Sequence, residues 1–355
     1  MKKILFLTPY PFDKAGSQRF RFEMFFDLLE KSNFSFNQSS FIDEKTWSIL
    51  YKKGYILKKI LGTVKGYLRR FLILFQLYKY DFVFVHREAS PLGPPIFEFL
   101  ISKVFRKKMI FDFDDSIWKM DVANENKIAS ILKQPSKIAK ICKWSYKVSA
   151  GNDYLADYAR QYNSNTFVIP TIVDTEGYHN RIQNQETENV NIGWTGSNTT
   201  IKYLDVIVPP LKSLEEKYDF TFYVIADKDP HLDLKSYQFI PWKKETEIDD
   251  LLKFHIGLMP LHFDEWEKGK CGFKAIQYMA LGIPAIIAEI GVNKKIINHE
   301  KNGFLISNDE EWESYIKTLL CEVKARKEMG LSARKTIEDN YSKRANFKNF
   351  INLFS

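Results

Sequence analysis

The sequence predicts an α/β protein built from two doubly wound, Rossmann-like domains, each a parallel sheet covered by helices. Three observations carry that expectation. Short runs rich in β-branched and aromatic residues alternate with helical patterns along the chain, the rhythm of βαβ units. The rhythm stops at a polar stretch near the middle and then restarts. A chain of 355 residues, 45% hydrophobic and 27% charged, can bury a sizeable core and is more natural for two domains than for one.

In order, KILFLT at 3–8 reads as a first buried strand. It has the basic start of a signal peptide, but Thr8, Pro9 and Pro11 cut the apolar run at once, and no small-residue cleavage site follows. A helix is expected from about Gln18. FVFVH at 82–86 is a strand, PPIFEFLISKVF a helix, and MIFDF at 109–113, YKVSAG at 146–151 and TFVIP at 166–170 are further strands. The polar run 169–189 marks a seam. The expected domains are therefore 1–172 and 173–340, with a terminal helix at 341–355 packing back on the first. In the second half, NVNIGWTG at 189–196, FTFYVIA at 220–226, HIGLMPL at 255–261, PAIIA at 284–288 and GFLI at 303–306 are strands. Helices are expected through Leu211 and through QYMAL.

Composition narrows the function classes. Three scattered cysteines, Cys142, Cys271 and Cys321, form neither a disulfide frame nor a zinc site and suit a reducing cytosol. No run approaches the roughly 20 apolar residues that span a bilayer. Much of the net charge of +8 lies in residues 52–79, where Lys and Arg alternate with Leu, Ile, Tyr and Phe. That is the composition of a basic amphipathic helix, suited either to an anionic membrane surface or to a solvated face over a core stripe. No nucleic-acid motif is present, so nucleic acid is not an expected partner. The expected location is cytoplasmic, at most peripheral on the inner face of the membrane.

In open parallel sheets, ligands sit beyond the carboxyl ends of the strands, so the turns there should carry the chemistry. After the first strand come Gly16, Ser17, Arg19 and Arg21; either arginine could hold a phosphate in bidentate fashion or pair with Glu23 on a helix surface. His86 and Arg87 end the next strand. MIFDFDDSIW leaves several roles open: Asp112 as a phosphatase nucleophile, Asp112 with Asp114 as a metal clamp, Asp114 or Asp115 as the wall of a sugar pocket, or simple helix capping. In the second half, Gly196, Ser197 and Asn198 form a small-residue turn with Lys202 one helical turn on. Gly272 and Phe273 open a helix whose N-terminus is a ready anion site, with Lys270 and Lys274 beside it.

KGKCGFKAIQYMALGIPAI at 268–286 resembles the donor-binding segment of GT-B glycosyltransferases of family 4, and PAIIAEIGVNKKIINHEKNGFLI, the opening KILFLTPYPFDKAGSQRFRF and GWTGSNTT extend the resemblance. The resemblance implies transfer of a sugar from a nucleoside diphosphate sugar, usually with retention, in a cleft between the domains and without a required metal or other cofactor. It also implies that Asp114 or Asp115 stands where relatives often carry a histidine that meets the sugar. The chain departs from the family's two glutamates separated by seven residues: Gly269 and Gln277 stand in those places. Gln277 keeps the capacity to bond ribose hydroxyls, while Glu265 or Glu267 could supply the lost carboxylate, or Lys270 or Lys274 could have changed the job done there. The usual arginine of the GWTGSN turn is also missing. The expected activity is transfer to a glycan or lipid-linked acceptor in bacterial-type surface glycan assembly. The alternatives are a haloacid-dehalogenase-like phosphatase using Asp112, although in that fold the nucleophile follows the first core strand, and a catalytically idle GT-B binding subunit.

Overall fold

The computed structural model describes residues 1–119 and 134–355, which fall into two compact units. The first comprises Met1–Thr171 together with Asn346–Ser355, the second Ile172–Ala345. Each is built around a six-stranded parallel sheet among the described residues.

In the first unit the elements run β1 (Lys2–Thr8), α1 (Gly16–Arg19), α2 (Phe26–Lys31), β2 (Phe34–Ser40), α3 (Glu44–Trp47), α4 (Ile56–Leu74), β3 (Phe82–His86), α5 (Ile96–Phe99), β4 (Lys108–Phe113), α6 (Lys137–Trp144), β5 (Lys147–Ala150), α7 (Asp153–Arg160) and β6 (Thr166–Val168). The strand order β2-β1-β3-β4-β5-β6 reverses direction between β1 and β3, which makes that pair the topological switch point. Strands β1, β3 and β4 are near-continuous apolar runs because helices cover both faces of the sheet. Phe6 is the hub, within ring contact of Phe22, Phe84 and the C-terminal Phe354, and Phe25 stacks on Phe350 at 4.4 Å between centroids. These contacts hold the last ten residues on the first unit. The helix expected from Gln18 is instead three short pieces: α1, a 3₁₀ turn at Glu23–Phe25, and α2. Its apolar residues crowd onto the sheet, where Phe20, Phe22 and Phe25 are all buried.

The second unit runs β7 (Val190–Thr195), α8 (Val208–Leu214), β8 (Phe220–Ala226), β9 (Tyr237–Pro241), α9 (Glu247–Leu251), β10 (Ile256–Met259), α10 (Phe273–Ala280), β11 (Ala285–Ala288), α11 (Asn293–Ile296), β12 (Gly303–Ile306), α12 (Glu311–Cys321) and α13 (Val323–Asn340); α14 (Lys343–Ile351) crosses back. The order β12-β11-β10-β7-β8-β9 places the switch point between β7 and β10. Trp194, Leu211, Phe222, Leu258, Ile286 and Trp312 lie in one apolar cluster across this sheet. Among the described residues, no helix is long and apolar enough to cross a membrane.

Candidate functional site

At the carboxyl ends of β7 and β10, the second unit brings together the turn after Thr195, the loop 260–272 and the start of α10. Thr195 closes β7 with its N–H donated to the Tyr278 hydroxyl at 2.9 Å. The chain then turns through Gly196, Ser197 and Asn198, where the Ser197 N–H donates to Thr200 Oγ1 at 3.0 Å and the Thr200 hydroxyl returns to the Ser197 carbonyl. A 3₁₀ helix, Ile201–Val206, follows and presents Lys202 to solvent, its Nζ 5.1 Å from the Tyr203 ring centroid. The β10 end continues through residues 260–272 into α10. Gly272 caps that helix at φ +67°, a left-handed conformation that strains any side-chain-bearing residue. The start of such a helix carries backbone N–H groups and the positive end of its dipole, which suit an anion.

Lys274, in the first turn of α10, holds its Nζ 5.6 Å from the Trp194 ring centroid. Desolvation, reinforced by the Lys270 ammonium and opposed by Glu267, pulls its pKa down to about 8. Glu267 is buried. Tyr203 donates its hydroxyl to Oε1, while Oε2 finds no partner among the described residues. Burial raises its pKa against the opposing pull of Tyr203 and Lys270. Gln277, three residues beyond Lys274 and so on the same helix face, is buried with its amide nitrogen unpartnered among the described residues. Buried polar groups are nearly always satisfied. Such atoms on one loop and the helix after it, beside a desolvated lysine, suit a polar anionic ligand.

In the first unit, the centre is Asp112 at the end of β4. Arg21 forks onto it, the His86 Nδ1 lies 2.8 Å from Oδ2, and the Ser149 hydroxyl donates to Oδ1 at 2.6 Å. Arg21 also donates to the Ile169 carbonyl, so one buried guanidinium ties β4, β5 and the segment after β6 together. Burial acts to raise the Asp112 pKa, but Arg21 and His86 overcome it and hold the carboxyl well below the usual carboxylate range. Next to it, Arg87 adopts a left-handed backbone, φ +59°, and its Nε donates to Asp114 Oδ1 at 2.8 Å. Asp114 too has its pKa lowered, burial being outweighed by Arg87. Asp115 turns back to accept the Ser116 N–H at 2.9 Å. Both Asp114 and Asp115 remain partly exposed.

This geometry revises several expectations. Arg21 is committed to Asp112 and is not available to hold a phosphate, and neither it nor Arg19 pairs with Glu23; Arg19 sits 3.4 Å from Asp13. His86 is fully buried behind the strand ends, its Nε2 unpartnered among the described residues. Asp112 is about as inaccessible, buried under three partners, which removes the setting a phosphatase nucleophile needs. No group of three or more His, Cys, Asp or Glu side chains among the described residues could hold a metal ion. Gly16 and Ser17 lie on an exposed edge at the start of α1, which has only four residues. Sequence reasoning missed Trp194 and Tyr203, which form the floor under Lys274 and Glu267. Alternation within VNIGWT marks Trp194 as core, and nothing local to Tyr203 announces its acidic partner 64 residues away.

Comparisons with known proteins agree with the architecture. Residues 189–322 match the sequence family described as "Glycosyl transferases group 1". No curated protein matches the chain in sequence. Among solved structures it is similar to a sucrose-phosphate synthase from Thermosynechococcus elongatus, with a TM-score of 0.70 and 12% identity over 100% of this chain and 98% of that one. The Anabaena protein Alr3699/HepE, solved in complex with UDP and glucose, gives a TM-score of 0.67 and 13% identity over 99% of each chain. WaaG, a glycosyltransferase involved in lipopolysaccharide biosynthesis, gives 0.66 and 12% over 100% of each. At these identities the likeness is one of fold.

Proposed function

Because residues 189–322 form a glycosyl transferases group 1 domain within a GT-B fold, we propose that this glycosyltransferase draws its sugar from a nucleoside diphosphate sugar bound at the carboxyl ends of β7 and β10. The observation that carries the reading is the convergence there of the α10 N-terminus, the desolvated Lys274 and the Gln277 amide nitrogen, unpartnered among the described residues. A departing nucleoside diphosphate gains negative charge as the glycosidic bond breaks, so fixed N–H groups and ammonium groups stabilise the transition state more than the ground state. Lys202 and Lys270 add to that field. Gln277 addresses the ribose. Glu267, the one buried carboxylate of the loop after β10, takes over the sugar contact that Gly269 lacks.

The Arg87–Asp114 pair and Asp115 act on the acceptor side, where a carboxylate bonds a sugar hydroxyl or steadies an oxocarbenium-like transition state. Transfer proceeds with retention, the leaving phosphate helping to accept the acceptor's proton, and it needs no metal. UDP in the HepE complex makes uridine nucleotides the first donors to try, and WaaG's printed role supports a surface-glycan or lipid-linked acceptor. An anionic membrane surface at residues 52–79 is the partner surface that fits such an acceptor, on the inner face of the membrane. The test is a panel of UDP-, GDP- and deoxynucleotide sugars, read as nucleoside diphosphate release in the presence of EDTA. Release from one class of donor is the expected result. Nucleotide binding with no release across donors and acceptors would leave only a binding subunit.

A further inference from the structure

Helix α4 is mounted with its apolar side outward. The positions it buries are Gly62, Gly66, Arg70 and Leu74, a single stripe at four-residue spacing. A Cβ on Gly62 would fall 2.3 Å from the Thr46 hydroxyl, and one on Gly66 would fall 2.7 Å from the Phe41 carbonyl, so the glycines let the helix backbone lie directly on the unit. Arg70 fixes it there by donating to the carbonyls of Thr8, Ser39 and Ala89. On a 3.6-residue period the opposite side carries Leu57, Leu61, Val64, Leu68, Leu72 and Phe75, and all six are exposed, Leu57 by 77% and Leu72 by 61%. An ordinary surface helix has the reverse arrangement.

Charge identifies the occupant. Residues 52–80 contain eight Lys and Arg and no Asp or Glu, and of the eight only Arg70 is buried. Lys58, Lys65 and Arg69 follow one flank of the apolar stripe by the same helical period. A contact between two copies of this face would offer the basic flank no acidic partner from residues 52–80, which contain none, whereas an anionic headgroup layer neutralises it. We infer that α4 lies in the plane of an anionic bilayer, with the Leu57–Phe75 stripe inserted below the headgroups and the basic flank among them. This deepens the membrane reading above by assigning insertion in addition to charge attraction, and it rests on the first unit alone. Donor binding can therefore fail while it stands, and the reverse.

The test is cosedimentation of the full chain with phosphatidylcholine vesicles, with and without phosphatidylglycerol, over a range of salt. Two variants are compared: Leu61→Gln/Leu68→Gln/Phe75→Gln, and Lys52→Gln/Lys58→Gln/Lys65→Gln. All six positions are exposed, and unchanged circular dichroism and nucleoside diphosphate affinity report that each variant is folded. The apolar variant should lose roughly tenfold or more in partitioning at every salt concentration. The basic variant should lose most at low salt and match the parent once charge is screened. Binding unaffected by the apolar substitutions, or no binding to anionic vesicles, would overturn the inference. So would a parent that sediments as a dimer and becomes monomeric in the apolar variant.

Discussion

Lys274 is the residue on which the donor reading bears most directly. Lys274→Ala should weaken nucleoside diphosphate binding by about 1 to 3 kcal/mol, the range for a charge-assisted hydrogen bond, as measured by calorimetry. Its pKa near 8 adds a pH signature. A bound diphosphate raises that pKa, so affinity is full below about pH 8 and declines as pH rises through the pKa of the bound state; Lys274→Arg, charged throughout, should abolish the decline. Gln277→Ala should hurt ribose-bearing nucleotides more than inorganic pyrophosphate, and equal losses would point to a damaged helix. Asp112 offers the opposite case. Its depressed pKa contributes stability that is present above the unfolded value of about 3.9 and lost as pH falls through the folded one. Asp112→Asn should cost about 3 to 5 kcal/mol in denaturant unfolding, because it strands the buried Arg21 charge. A fully stable variant would show that the ion pair is not what fixes the β4 end. Asp114→Asn or Asp115→Asn, at whichever position addresses the sugar, should reduce transfer strongly with nucleoside diphosphate affinity retained and with activity resistant to EDTA.

At the scale of elements, α4 depends on close approach. Gly66→Ala should destabilise the protein by about 1 to 3 kcal/mol, since a methyl group pressed on the Phe41 carbonyl outweighs the roughly 1 kcal/mol that alanine gains over glycine in a helix; an increase in melting temperature would contradict that packing. The same elements show what could be read from the sequence. The central strands were legible because burial on both faces makes them solid apolar runs, as in ILFL, FVFV and AIIA. Strands β2 and β9 were not expected, and both are sheet edges: FSFNQSS and YQFIP are mostly half-exposed and carry polar residues that a central strand excludes. Helix α10 was legible through Gly272 and the lysines around it. The Tyr203–Glu267 contact was not, because it depends on a loop path that no periodicity encodes. Residues 52–79 announced an amphipathic helix but not which side it would turn outward. Only the glycine and arginine contacts decide that.

For the whole molecule, one fold is used twice with different results. In the first unit the strand ends close over a buried Arg–Asp–His cluster and leave the Arg87–Asp114 pair and Asp115 partly exposed. In the second, among the described residues, the Gln277 amide nitrogen and one Glu267 carboxylate oxygen find no partner near the switch point, beside the desolvated Lys274. The division of labour assigns the nucleotide to the second unit. Hydrogen–deuterium exchange of the full chain, with and without a saturating nucleoside diphosphate, tests that assignment most directly. Slowed exchange in residues 195–202 and 270–277 is the predicted result. Protection confined to the segments around Asp112, with 195–202 and 270–277 unchanged, would contradict it.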